Sequence, residues 1–146
     1  MGIVRYISWE AEELGITFNL SQGRITIFKK TLEVINFPEY YHFLFNPEDR
    51  MFAIQACSMD DNGAHRLSVD MNRKFRCEVK SMSLVRFVYQ TCGWKEKRSY
   101  RIQGRVEPEK QLVMFDLKSG LQIYQGRLMS CQICEGKIIP LKLSVR

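Results

Sequence analysis

The sequence predicts an α+β fold, rich in antiparallel strand, made of two pseudo-repeated strand–helix–strand–strand units and a C-terminal hairpin. Three observations predict it. Residues 24–56 and 76–117 align with one gap. At an offset of 52, Arg24, Ile25, Ile27, Thr31, Leu32 and Ile35 fall on Arg76, Cys77, Val79, Ser83, Leu84 and Phe87. At an offset of 61, Tyr41, Phe45, Pro47, Glu48, Met51, Phe52 and Ile54 fall on Ile102, Val106, Pro108, Glu109, Leu112, Val113 and Phe115. Apolar residues alternate through most of both copies, the spacing of half-buried strands. No Pro/Gly/Ser-rich linker separates the halves, and 146 residues suit one domain. The expected organisation is a single compact domain, 1–146, with repeats at about 15–57 and 65–117 and a hairpin at 121–146.

Each element has a local reason. Ile16-Thr17-Phe18 and Arg24-Ile25-Thr26-Ile27 alternate around the turn signal Ser21-Gln22-Gly23 and read as a hairpin. Thr31 is an expected N-cap for a short helix through Leu32, Val34 and Ile35, ended by Pro38. Tyr41, Phe43 and Phe45 alternate as a strand, Asn46-Pro47-Glu48-Asp49 turns, and Met51 to Cys57 returns. The polar stretch Ser58 to Asn62 joins the copies. Arg66 to Val69 and Phe75 to Val79 read as strands. Ser83 is the expected cap of a helix whose apolar face is Leu84, Phe87, Val88 and Cys92, with Gly93 past its end. Ser99 to Val106 alternates, Glu107-Pro108-Glu109-Lys110 turns, and Gln111 to Leu117 returns. Leu121 to Cys134 is strand-like with a bulge expected at Gly126, and Lys137 to Val145 pairs back as an edge strand because of Pro140.

Charge is divided unevenly along the chain. Residues 1–72 carry 6 Lys and Arg against 10 Asp and Glu, and residues 73–146 carry 16 against 6, for a net charge of +6. Arg73, Lys74, Arg76, Lys80, Arg86, Lys95, Lys97, Arg98, Arg101 and Arg105 face only Glu78 and Glu96 between residues 73 and 105. Such a run attracts polyanions if it folds into one surface. Phe75, Phe87, Tyr89, Trp94 and Tyr100 lie among these cations, as rings do in single-strand grooves. Phe87 and Trp94 are expected in the core, with Tyr89 and Tyr100 less committed to it.

The motifs of known chemistries are absent from the sequence. There is no Gly-x-Ser-x-Gly, no phosphate loop and no dinucleotide fingerprint. His42 and His65 are the only histidines, and Asp60-Asp61 reads as a solvated turn. Cys131 and Cys134 have metal-ligand spacing, but a closed zinc site needs two more ligands, and the pair reads as reduced cysteines flanking a hairpin. Cys57, Cys77 and Cys92 read as small buried hydrophobes, and five cysteines suit reduced thiols. The first residues lack a signal-peptide pattern and no apolar run approaches the ~20 residues of a membrane helix. No cofactor, no membrane and a cytoplasmic location are expected.

The string Gly23-Arg-Ile-Thr-Ile-Phe-Lys-Lys-Thr-Leu-Glu-Val-Ile, followed by an alternating strand, Asn46-Pro47-Glu48-Asp49 and a return strand, resembles the swapped-hairpin module of AbrB-like transcription regulators. Two copies in one chain resemble the MraZ arrangement. Phe28 stands where that family has proline, and Phe37-Pro38-Glu39 replaces its glycine-containing turn. The resemblance implies DNA binding through Arg24, Lys29 and Lys30. The charge distribution points to Arg73, Lys74, Arg76, Lys80 and Arg86, and Arg24 and Arg76 are equivalent in the alignment. The expected function is therefore non-enzymatic nucleic-acid binding, as in a transcription regulator, with homodimerisation through exposed strand edges. Its rival is an interaction or structural domain for an acidic partner. A third reading is an enzyme whose site one sequence does not reveal.

Overall fold

The computed structural model describes residues 14–68, 76–124 and 127–128. Among these residues the chain forms β1 (Gly15–Asn19), β2 (Arg24–Phe28), α1 (Lys29–Glu33), β3 (Tyr40–Asn46), β4 (Met51–Cys57), β5 (His65–Arg66), β6 (Arg76–Lys80), α2 (Met82–Cys92), β7 (Ser99–Glu107), β8 (Leu112–Asp116), β9 (Leu121–Tyr124) and β10 (Arg127–Leu128). The α+β arrangement of strand–helix–strand–strand units predicted from the sequence is not what forms. The strands of both halves join one antiparallel sheet in the order β5-β3-β4-β8-β7-β1-β2-β6, with β9 and β10 attached beside β7. That sheet curls into an open half-barrel. The physical reason is coverage. Helices of 5 and 11 residues are too short to roof two separate sheets, so the sheet curves to bury its own inner face.

Alternation sets that inner face. Ile16, Phe18, Ile25 and Ile27 from β1 and β2 meet Phe52, Ile54, Val113 and Phe115 from β4 and β8, all essentially buried. Phe18 packs edge-on against Phe52 with ring centroids 5.2 Å apart. β7 joins these two parts of the sheet: its residues 99–103 pair with β1, and 104–107 pair with β8. Gly104 sits at the changeover. A Cβ there would lie 2.7 Å from side-chain carbons of both Val113 and Phe115, so only glycine lets those two chains cross the backbone.

Two of the ladders between the two halves contain a rung of counterpart residues. Thr26 pairs with Glu78, its counterpart at offset 52, and Ala53 pairs with Met114, its counterpart at offset 61.

Several elements depart from expectation in detail. Thr31 does not cap α1; Phe28 holds the cap position, and the Thr31 hydroxyl instead donates to Gly15 O (2.7 Å) and accepts from Gly15 N–H (2.8 Å). That pair satisfies a buried peptide of β1. Asn36 and Phe37 turn the chain at φ 64° and 46°, ahead of Pro38. α2 begins at Met82, so Ser83 lies within its first turn, and β5 is only two residues long. The expected bulge at Gly126 and the strand from 137 to 145 lie outside the described residues.

Candidate nucleic-acid interface

The cations fall into groups that the fold separates. The first group surrounds the β1–β2 turn. Gly23 (φ 59°) lets that turn close, its N–H donating to Leu20 O at 3.0 Å. Its carbonyl accepts from Ser81 N–H at 2.9 Å, which brings the start of α2 against the turn. Across the sheet, Arg24 stands opposite both Lys80 and Asn19, and Asn19 stands opposite Ser99. The loop 93–98 that leads into β7 therefore lies at the same end. A cleft of about 260 Å³ is lined there by Leu20, Ser21, Met82, Arg86, Glu96 and Lys97. Arg24, Lys80, Arg86, Lys95, Lys97 and Arg98 thus gather at one end with two acids, Glu78 and Glu96. Arg24 lies 4.0 Å from Glu78 and is half-buried, while Lys80, Arg86, Lys95 and Lys97 are exposed.

An aromatic frame holds the cationic loop. Gly93 takes the left-handed conformation (φ 66°) that ends α2. Trp94 stacks on Tyr100, centroids 4.3 Å apart and planes 12° from parallel. The Lys95 N–H donates to the Tyr100 hydroxyl at 2.9 Å. The Tyr89 hydroxyl reaches the carbonyl oxygens of Phe18 (3.1 Å) and Arg98 (2.5 Å), joining α2, β1 and the loop. Burial pushes the Tyr89 phenol well above its ordinary range, so the group stays a neutral donor.

The other sites predicted from the sequence lie elsewhere. Lys29 and Lys30 sit half-buried on α1, and Arg76 is paired with Phe28 at the far end of β2. Five strand residues at about 3.3 Å each separate them from Arg24. Arg24, Lys29 and Lys30 therefore do not converge. Arg101 is 8 % exposed and lies 5.3 Å over the Phe28 ring, where it serves the fold. Arg105 is exposed on the outer side of the half-barrel, 3.8 Å from Met114 Sδ. Arg73 and Lys74 lie outside the described residues, as do Phe75, Cys131 and Cys134.

The loop cations Lys95, Lys97 and Arg98 belong to this basic end but escaped the predicted set. Their signal was present in the charge run; what the sequence does not show is that the loop lies beside the β1–β2 turn. The aromatics also differ from expectation. Tyr89 and Tyr100 are buried at 2 % and 5 % exposure, whereas Phe87 is 48 % exposed.

Little else in the described residues suggests a reaction. No group of three or more His, Cys, Asp or Glu side chains gathers among them in a metal-binding arrangement. Burial, then Asp61, pushes the Cys57 thiol up, and burial does the same for Cys92 against the opposing pull of Arg50 and Lys118. Neither thiol is poised as a nucleophile. His42 is held by Gln55 at 3.1 Å, and His65 stacks on Tyr41. Asp61 accepts from Ser58 N–H at 2.8 Å and closes its own turn. No described helix is long and apolar enough to cross a membrane. Comparison with protein-family models, with curated proteins and with solved structures gave no match.

Proposed function

We propose that this protein is a cytoplasmic, non-enzymatic nucleic-acid-binding protein whose phosphate contacts come from the basic end formed by Arg24, Lys80, Arg86, Lys95 and Lys97. One observation carries the reading: cations distant in sequence meet around the β1–β2 turn, on a loop anchored by Trp94, Tyr89 and Tyr100. Exposed cations on a rigid frame meet a phosphate backbone without a large ordering cost. A role as an AbrB-like transcription regulator, acting as a homodimer, belongs to the same proposal and is supported by the string from Gly23 to Ile35.

The test is a titration of labelled duplex and single-stranded DNA at two salt concentrations. Binding at low salt that falls steeply as salt rises is expected. Lys95→Glu with Lys97→Glu should weaken it by roughly tenfold or more, because each reversal replaces an attraction with a repulsion. Lys29→Glu with Lys30→Glu should change it far less. Silence of the unmodified protein toward every nucleic acid at low salt would remove the reading and leave an acidic protein as the partner.

A further inference from the structure

The geometry points to α2 as the element that reads duplex DNA: we propose that it enters the major groove and presents Ser83, Arg86, Phe87 and Gln90 to base edges. This rests on the nucleic-acid reading above and adds the form of the nucleic acid and the residues that discriminate sequence.

The helix has two unlike sides. Val85, Val88 and Tyr89 are buried against the half-barrel. Met82, Ser83, Arg86, Phe87 and Gln90 are all exposed. At 100° per residue those five form one outward stripe opposite the buried one. No Asp or Glu lies anywhere on the helix. The side chains suit base edges: arginine pairs with guanine O6 and N7, glutamine with adenine N6 and N7, and Phe or Met packs on the thymine methyl. Phe87 is steadied edge-on against Phe45, centroids 5.3 Å apart, yet keeps 48 % of its surface open.

Charge is arranged around this stripe as a groove requires. Lys80 precedes the helix, and Lys95 and Lys97 follow it. Eleven residues at about 1.5 Å each span about 16 Å, and Lys97 returns to line one cleft with Met82 and Arg86, so the cations flank the first turns of an element that fits a groove about 12 Å wide. Contacts beside those first turns would fix register on the phosphates while the stripe reads the bases. Two alternatives fit less well. The major groove of duplex RNA is too deep and narrow for a helix. Single strands need open rings for stacking, and here Tyr89 and Tyr100 are buried and Trp94 is stacked on Tyr100.

The experiment is selection of bound sequences from a random duplex DNA pool by the full chain, repeated with Gln90→Ala, Arg86→Ala and Lys95→Gln/Lys97→Gln. An enriched motif is expected. Gln90→Ala and Arg86→Ala should each lose preference at their own positions by about tenfold. The lysine variant should weaken every sequence alike and keep the motif. Unchanged urea midpoints would confirm that the variants, all at exposed positions, still fold. Duplex binding with no enriched motif, or a motif indifferent to both Arg86 and Gln90, overturns the assignment while leaving phosphate binding intact. So does tighter binding to single-stranded DNA or duplex RNA. Silence of the unmodified protein toward all three nucleic acids at low salt overturns both readings.

Discussion

Single atoms decide how two places in this half-barrel respond to change. Adding a methyl group at Gly104 drives it within 2.7 Å of Val113 and Phe115, inside the packed interior. Neither neighbour has space to retreat in a core of this density, so Gly104→Ala is expected to cost about 1–3 kcal/mol in urea unfolding. The second place is the buried phenols. Tyr41 and Tyr89 are both raised above their ordinary value, Tyr41 by burial and then by Cys77, 3.6 Å away, and Tyr89 chiefly by burial. A raised folded value means that the neutral form favours the native state. Its stabilisation is therefore complete below the unfolded value of about 10 and declines as pH rises beyond it. Unfolding measured between pH 8 and 11 should show this loss, and Tyr41→Phe/Tyr89→Phe should flatten it. Residue identity alone revealed neither feature: glycine within an alternating strand, and tyrosine in an aromatic strand or a basic run, all read as ordinary.

At the scale of elements, α2 shows how a sequence locates a helix and misplaces its face. Gly93 marked the end because a residue without Cβ enters the left-handed region at little cost. Gly93→Ala should accordingly destabilise the fold by about 1 kcal/mol, with Gly93→Asn milder, read as urea midpoints. Nothing lies within 4 Å of the added carbon, so the whole loss is conformational. Its apolar face was legible only in part. Phe87 and Val88 are one residue apart and equally hydrophobic, and only the sheet determines that Val88 turns inward while Phe87 looks out. Thr31 shows the same limit. A threonine at the head of a short helix suggests a cap, yet the peptide of Gly15, sixteen residues earlier, takes both its hydrogen-bonding roles.

The arrangement of the whole molecule was the least legible. Alternation and turn chemistry located β1 to β4 and β6 to β8, and met β5 only at Arg66, because those signals are local. Whether strands from the two halves remain apart or enter a common sheet depends on pairings between distant residues such as Ile27 with Cys77 and Ile54 with Val113. No local period encodes those. The charge run met the same difficulty: its members are adjacent in sequence, but β6 and β7 carry them to opposite ends and faces. With Arg86 set aside as the proposed base reader, the basic end that results offers four candidate phosphate contacts, Arg24, Lys80, Lys95 and Lys97. If each neutralises one phosphate, the logarithm of affinity should fall against that of salt with a slope near −3.6, from about −0.9 per contact. Losing Lys95 and Lys97 should halve it.

Where Thr26 faces Glu78 and Ala53 faces Met114, a strand meets the segment that corresponds to itself. Bulk gained on one side of such a rung is relieved most directly by bulk lost on the other. A substitution at either member is therefore felt first by its own counterpart.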